Sequence, residues 1–251
     1  MLGICSRASR ATAVLYGVFC HSLFLLGIGL AFVAMYKGMH LGFVRLDTGW
    51  AILLDSVLLL QFPLLHSFLL SGPGGRFLKS LAPQKLGSAL STTTFTIIAS
   101  VQLIALYGLW APLAPVWWES QGVSRAVISV AYLLSWLLLA KAMADAGLAT
   151  QTGFLGWSAV FQGQKPVYEP MPIKGLFRYC RQPIYLAFAL TTWTVPVWSL
   201  DQLILALWLT SYCLLGPIFK ERRYRKRYGE AFTQYKDQVP YIVPKQPQCP
   251  F

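Results

Sequence analysis

Two clusters of ionisable and hydrogen-bonding residues carry the chemistry open to this chain. Arg178, Arg181, Gln182 and Tyr185 stand just before or at the start of one apolar stretch, and Glu221 and Arg222 stand just after the next. Arginines beside a helix start suit a carboxylate or phosphate, because first-turn amide protons have no partner within the helix and a guanidinium adds fixed positive charge. Plain topological anchoring accounts for the same arginines equally well. Glu221 is the one acid in Lys220-Glu221-Arg222-Arg223-Tyr224-Arg225-Lys226-Arg227. Its two readings are a pair with Arg225 one turn on and a carboxylate facing a cationic ligand.

These clusters meet only if the chain between them folds back. Apolar runs at Ile184 to Val197 and Leu203 to Phe219, with a turn near Pro196, predict a membrane hairpin whose ends return to one side. Pro183 suits the first helical turn, where its missing amide proton costs nothing. If that helix extended backward, Arg178, Arg181 and Tyr185 would share a face. Both final runs are shorter than the earlier ones, which suggests tilted spans.

Four longer runs precede the hairpin: Ala11 to Tyr36, Gly49 to Ser71, Ala89 to Ala111 and Ala126 to Ala144. With 56% hydrophobic and only 12% charged residues, the chain reads as an all-α, polytopic membrane protein of about six transmembrane helices, a single integral domain over residues 1–251 with its cofactor-site region at 178–244. The first run is too long for a signal-peptide core and lacks a cleavage site, so a retained helix is expected. The formal charge of +12 sits in alternate loops beside apolar runs. That is the positive-inside pattern; it places both termini in the cytoplasm and argues for a lipid bilayer, not nucleic acid, as the basic residues' partner.

Other polar residues have bland readings beside sharper ones. His21 is expected to make a hydrogen bond inside the bundle. Asp55, Gln61, His66 and Ser67 lie within or near the second run and should face protein or a water-filled cavity, either locking helices together or meeting a substrate. His66 is retained as a candidate site residue. Ser71 to Gly75 lack the Lys-Ser or Lys-Thr ending of a phosphate loop and read as a turn. Trp110, Trp117 and Trp118 suit a headgroup layer, and Lys141 with Asp145 suits a helix-surface pair. Gly147 to Arg181 is broken by glycines and prolines, so any helix there should be short. Cys5, Cys20, Cys180, Cys213 and Cys249 have no metal-ligand spacing, and Cys249, third from the end, gives no prenylation signal. No metal site is expected.

Arg181-Gln182-Pro183-Ile184-Tyr185, Trp193 to Pro196, Glu221-Arg222, Tyr228-Gly229, Tyr235, Val239-Pro240 and Pro244, in that order and spacing, resemble the C-terminal signature of the isoprenylcysteine carboxyl methyltransferase superfamily. Gln61, His66, Ser67 and the Trp193 to Pro196 turn are more similar to its branch containing methanethiol S-methyltransferase and nurim. The resemblance implies a membrane-embedded methyltransferase using S-adenosylmethionine at the cytoplasmic face, with a small or lipophilic thiol or related nucleophile as acceptor. Arg178, Arg181, Gln182, Pro183, Tyr185, Glu221 and Tyr235 would then hold the cofactor. Of these, Arg181, Gln182 and Tyr185 would face its amino-acid end, Glu221 its amine or sulfonium, and Tyr235 would close the pocket. Glu221, Arg222 and His66 are the candidate catalytic residues. The chain departs from the family motif twice: Gln182 stands in place of histidine, and Lys220 in place of the first of two glutamates. An alternative is therefore a non-catalytic nurim-like protein with a degenerate cofactor site. A dinucleotide-using reductase lacks a further nucleotide signature, and a transporter lacks inverted repeats.

Overall fold

The computed structural model describes residues 6–83 and 85–246. Cys5 and Cys249 lie outside the described residues. Among the described residues ten α-helices in chain order dominate: α1 (Arg7–Tyr36), α2 (Thr48–Leu69), α3 (Gly72–Leu81), α4 (Gly87–Gly108), α5 (Gly122–Asp145), α6 (Leu148–Gln151), α7 (Phe154–Gln162), α8 (Pro183–Trp193), α9 (Leu200–Tyr228) and α10 (Glu230–Gln238). A short antiparallel pair joins β1 (Val116–Glu119) to β2 (Val197–Ser199). Among the described residues α1, α2, α4, α5 and α9 are long and apolar enough to cross a bilayer, and α8 is a shorter apolar helix. The chain is an integral, multi-pass, helical membrane protein.

Contacts divide the chain into two compact units. In the first, α4 packs against α2, α3 and α7. Gln61 and Gln102 bind one another reciprocally: Gln102 Nε2 donates to the Gln61 carbonyl at 2.8 Å and to its Oε1 at 2.7 Å, and Gln61 Nε2 donates to the Gln102 carbonyl at 3.1 Å. Asp55 Oδ1 accepts from the Ala111 amide. Asp55 and Gln61 thus tie α2 to α4 and to the connection after it, in a setting where each unpaired polar group is costly. Thr93 Oγ1 donates to the Gly153 carbonyl at 2.7 Å and accepts from the Trp157 amide at 3.0 Å, which fixes the start of α7 against α4. His21 accepts from Trp157 Nε1 at 3.1 Å, the expected bundle hydrogen bond.

The second unit contains β1, α5, α8, β2, α9 and α10, with α8 packed between α5 and α9. The hairpin turns where expected. Ser120 donates through its amide and its hydroxyl to the Pro196 carbonyl, Ser199 Oγ caps α9 by accepting from the Gln202 amide, and Gln202 Nε2 donates to the Thr192 carbonyl at 2.7 Å. Trp193 Nε1 donates to Thr210 Oγ1, joining the two arms again. The Lys141–Asp145 pair forms, and Asp145 also accepts from the Leu176 amide at 2.8 Å.

Several expectations are corrected. The glycines after Ser71 open helix α3 instead of ending in a turn: Ser71 Oγ accepts from the Gly74 amide, and Pro73 sits in the first turn, where it suits a helix. The second arm of the hairpin is not short, because the helix runs unbroken through the basic segment and spans 29 residues, about 44 Å at 1.5 Å per residue. The first arm is shorter than expected at 11 residues, about 16 Å, or roughly half a bilayer core. Trp110 is 1% exposed and packs in the interior, unlike the exposed Trp117 and Trp118.

The closeness of α7 to α4 depends on Gly156, where an added Cβ would lie 2.8 Å from the Ala89 carbonyl oxygen and 2.6 Å from Thr93 Oγ1. Gly156→Ala is expected to destabilise the protein by about 1–3 kcal/mol, the usual cost of overpacking, read as a lower midpoint in thermal unfolding in detergent. An unchanged midpoint would mean that α7 can move away freely.

Candidate functional site

Backbone conformation ahead of α8 decides where the first cluster points. Gly175–Arg178 forms one 3-10 turn, and Pro183 then opens α8. A proline at the first helical position disfavours helix in the residue before it. The backward extension that would align Arg178, Arg181 and Tyr185 on one face therefore does not occur. Instead, Arg181 and Gln182 lie in an irregular connection with both side chains turned inward, 8% and 1% exposed.

Arg181 meets Glu221 across the hairpin. Its Nε donates to Glu221 Oε1 at 2.8 Å and its Nη2 reaches Oε2 at 3.4 Å, with the two side chains only 8% and 13% exposed. Its Nη1 donates to the Lys236 carbonyl at 3.0 Å and to the Val239 carbonyl. One guanidinium thus satisfies a carboxylate on α9 and two carbonyls at the end of α10. Gln182 adds a bridge: its Nε2 donates to Glu221 Oε1 at 2.9 Å, and its Oε1 accepts from Lys220 Nζ at 3.1 Å. The carboxylate pairs with Arg181, and no Glu221–Arg225 ion pair forms.

The tail folds over this network. The Arg181 amide donates to the Pro240 carbonyl, and the Lys245 amide donates to the Tyr179 carbonyl. Gly229, at φ +54, breaks α9 from α10 in a conformation that favours glycine. Phe232, Tyr235 and Val239 form a buried cluster with Met171, Ile173, Tyr224 and Tyr228. Tyr235 donates its hydroxyl to the Phe177 carbonyl at 2.8 Å, and burial pushes its pKa up, so it stays a protonated donor. Tyr241 lies beneath Arg181, 5.6 Å from ring centroid to Cζ, and donates its hydroxyl to the Leu214 carbonyl of α9. Burial also raises the Cys180 thiol, which leaves it a poor nucleophile or ligand.

Of the residues singled out by sequence, the structure brings Arg181, Gln182 and Glu221 into direct contact, with Tyr185 beside Lys220 and Tyr235 on the Phe177 carbonyl. Arg178 has a buried Nε with no hydrogen-bond partner among the described residues. Arg222, next to Glu221 in sequence, is on the exposed face of α9 with its guanidinium over Phe219. His66 belongs to the other unit, flanked by the rings of Phe62 and Phe95 at 5.3 and 4.8 Å. Sequence reasoning missed Phe177 and Tyr224, whose rings surround Lys220. Only the Lys220–Tyr224 spacing of one helical turn gave a local signal. No cluster of His, Cys, Asp or Glu suited to a metal ion is present among the described residues.

The family model described as "Protein of unknown function (DUF1295)" matches residues 51–239. Methanethiol S-methyltransferase 2 of Bradyrhizobium diazoefficiens is 24% identical over 245 residues, covering 94% of this chain and 92% of its own length. Methanethiol S-methyltransferase of Mycobacterium tuberculosis is 25% identical over 251 residues, covering 94% and 97%. Nurim of Sus scrofa is 29% identical over 123 residues, covering 45% of this chain and 46% of its own. No solved structure matches the chain.

Replacing Arg181 by Ala leaves Glu221 buried without its ion pair and frees two carbonyls of the tail. Removal of one partner of a buried pair costs about 3–5 kcal/mol. The expected result is faster amide exchange from α10 to Lys245 and new tryptic cleavage at Lys236, with slow exchange retained in α4. Tail protection unchanged from wild type would show that hydrophobic packing alone holds it.

Proposed function

The chain belongs to the DUF1295 family, and on that premise we propose that it is a membrane-embedded methyltransferase that uses S-adenosylmethionine to methylate a small thiol. The observation that carries the reading is the meeting of Arg181, Gln182 and Glu221 at the mouth of the α8–α9 hairpin, under the tail. Near-full-length similarity to proteins named for methanethiol S-methylation supports the reaction and a small thiol as acceptor.

The residues fit a ligand carrying a carboxylate, an amine and a sulfonium. Arg178 offers a buried guanidinium nitrogen with no partner among the described residues. Among the described residues Glu221 Oε2 has only the long 3.4 Å contact from Arg181, which leaves it capacity to accept from an ammonium. Arg181 fixes that carboxylate, and Gln182 holds it from the other side. When bound, the cofactor supplies a methyl on sulfonium sulfur: the acceptor thiolate's lone pair forms the new carbon–sulfur bond as the old one breaks, leaving a neutral thioether. The protein's share is alignment and exclusion of water. Tyr235, Phe232 and Val239 close the tail side with apolar surface and a donor already committed to Phe177. The acceptor would react as its thiolate, its proton having passed to bulk water, so the displacement itself would need no proton-transfer group from the protein. Arg222, exposed, would serve at the lipid surface, and His66, which belongs to the other unit, is given no part in this site. The basic segments, including both termini, would face the cytoplasm.

A second reading, a nurim-like protein without catalysis, is favoured by the nurim similarity and by Lys220, a cation beside the proposed place of a cationic ligand.

In nanodiscs, labelled S-adenosylmethionine is expected to bind saturably to the wild type and at least about tenfold more weakly to Glu221→Gln, since a hydrogen bond to a charged group contributes about 1.5–3 kcal/mol. A small thiol should then be methylated. Absence of binding by a monodisperse, helical wild type would overturn the enzyme reading in favour of the second.

A further inference from the structure

Lys220 ends in an unusual place for a lysine. Its Nζ is 5.5 Å from the ring centroid of Phe177, 5.8 Å from that of Tyr185 and 5.4 Å from that of Tyr224. The rings come from three elements: the 3-10 turn before α8, α8 itself and α9. Tyr224 follows one helical turn after Lys220, so that contact alone would be ordinary. Phe177, 1% exposed, and Tyr185 are brought there by the fold. Among the described residues the ammonium has one hydrogen-bond acceptor, Gln182 Oε1. The remaining attraction comes from the ring faces and from the charge of the nearby Glu221 carboxylate.

Several aromatic faces around one cation form a cage, and such cages bind onium groups that cannot donate hydrogen bonds, because the ring quadrupole attracts positive charge without needing a proton. An ammonium reaching in on a flexible four-carbon stem is a replaceable occupant. We propose that Phe177, Tyr185 and Tyr224 form a seat for a sulfonium or quaternary ammonium group, and that Lys220 is its tethered occupant and sets the site's preference between cationic and neutral ligands.

This rests on the methyltransferase reading for the identity of the natural ligand, but not for the cage itself. The carboxylate of Glu221, linked to Lys220 through Gln182, marks the adjacent end of the same site. The Lys220 ammonium would withdraw from the three rings when a cationic donor is held there and would return when the ligand is a neutral thioether, which the rings attract less. Lys220 is thus a specificity-determining residue: it discriminates against the donor's charge in the resting site and favours exchange of the neutral product.

The test uses full-length protein in nanodiscs and tetramethylammonium as probe, with no adenosyl compound present. Lys220→Ala is expected to bind tetramethylammonium at least about tenfold more tightly than the wild type, and Lys220→Ala with Tyr224→Leu should lose that gain. In the wild type, acetylation of Lys220 by a water-soluble amine reagent, followed by mass spectrometry, should rise at least about threefold at saturating tetramethylammonium, with an exposed control lysine, Lys165, unchanged. This second measurement decides the matter if the variant does not fold. Equal affinity in Lys220→Ala and wild type, or Lys220 labelling indifferent to the onium ion, overturns the proposal. Because neither readout involves methyl transfer, failure to bind S-adenosylmethionine would sink the enzyme reading and leave the cage standing. Methylation retained without an onium effect would do the reverse.

Discussion

The ion pair between Arg181 and Glu221 is the constraint on which the second unit depends. Withdrawing two charges from water costs several kcal/mol each, and only good geometry with further hydrogen bonds offsets that. Both conditions are met: Nε and Nη2 of Arg181 address the two carboxylate oxygens, Nη1 addresses two carbonyls, and Gln182 supplies another donor to Glu221. An arginine is required for this, since a lysine has no planar fork with which to hold a carboxylate and a helix end at once. The pair therefore fixes hairpin mouth and tail together. Losing either partner disturbs both.

The unequal arms of the hairpin make that meeting possible. Antiparallel packing brings Trp193 beside Thr210, Tyr185 beside Tyr212 and Gln182 beside Lys220 and Glu221, so the start of α8 is matched to a point well inside α9. Past Glu221, α9 continues to Tyr228 with no counterpart in α8, and Gly229 then turns the chain into α10. That overhang carries the basic residues outward and returns Phe232, Tyr235 and Val239 onto the residues before α8. A shorter α9 would leave the tail unable to reach Arg181.

Much of this was legible in the sequence because it is encoded locally. Apolar run length marked α1, α2, α4 and α5, Pro183 marked the start of α8, and the i, i+4 spacing of Lys141 and Asp145 marked their pair. What was illegible depends on contacts distant in sequence or on context overriding propensity. Glycine-rich residues 72–75 argue against a helix by propensity, yet a capping serine and an early proline suffice to start α3. Trp110 carries the usual label of a membrane interface but is buried within its unit. The backward extension that would have aligned residues 178–185 on one face is ruled out by proline's restriction on its predecessor, and the backbone there is a 3-10 turn followed by an irregular connection. The carbonyls that complete Arg181 have no side-chain identity to read, and the rings around Lys220 come from segments up to 47 residues apart in sequence, Phe177 to Tyr224.

The two departures from the resembling motif, Gln182 and Lys220, are physically one arrangement. A lysine ammonium has donors only and a carboxylate has acceptors only, so whatever stands between Lys220 and Glu221 must present an acceptor to one and a donor to the other. A glutamine amide does this with a single orientation: reversing it would set its NH2 against the ammonium and its oxygen against the carboxylate. The contacts therefore assign which atom is which. A neutral histidine can also accept and donate, but on protonation it becomes a donor at both nitrogens and loses its bond from the lysine. Glutamine keeps both roles at every pH. Gln182 thus holds a lysine beside an acid in a site with little water, and the pair is better understood as a joint change in how the site handles charge than as two separate losses.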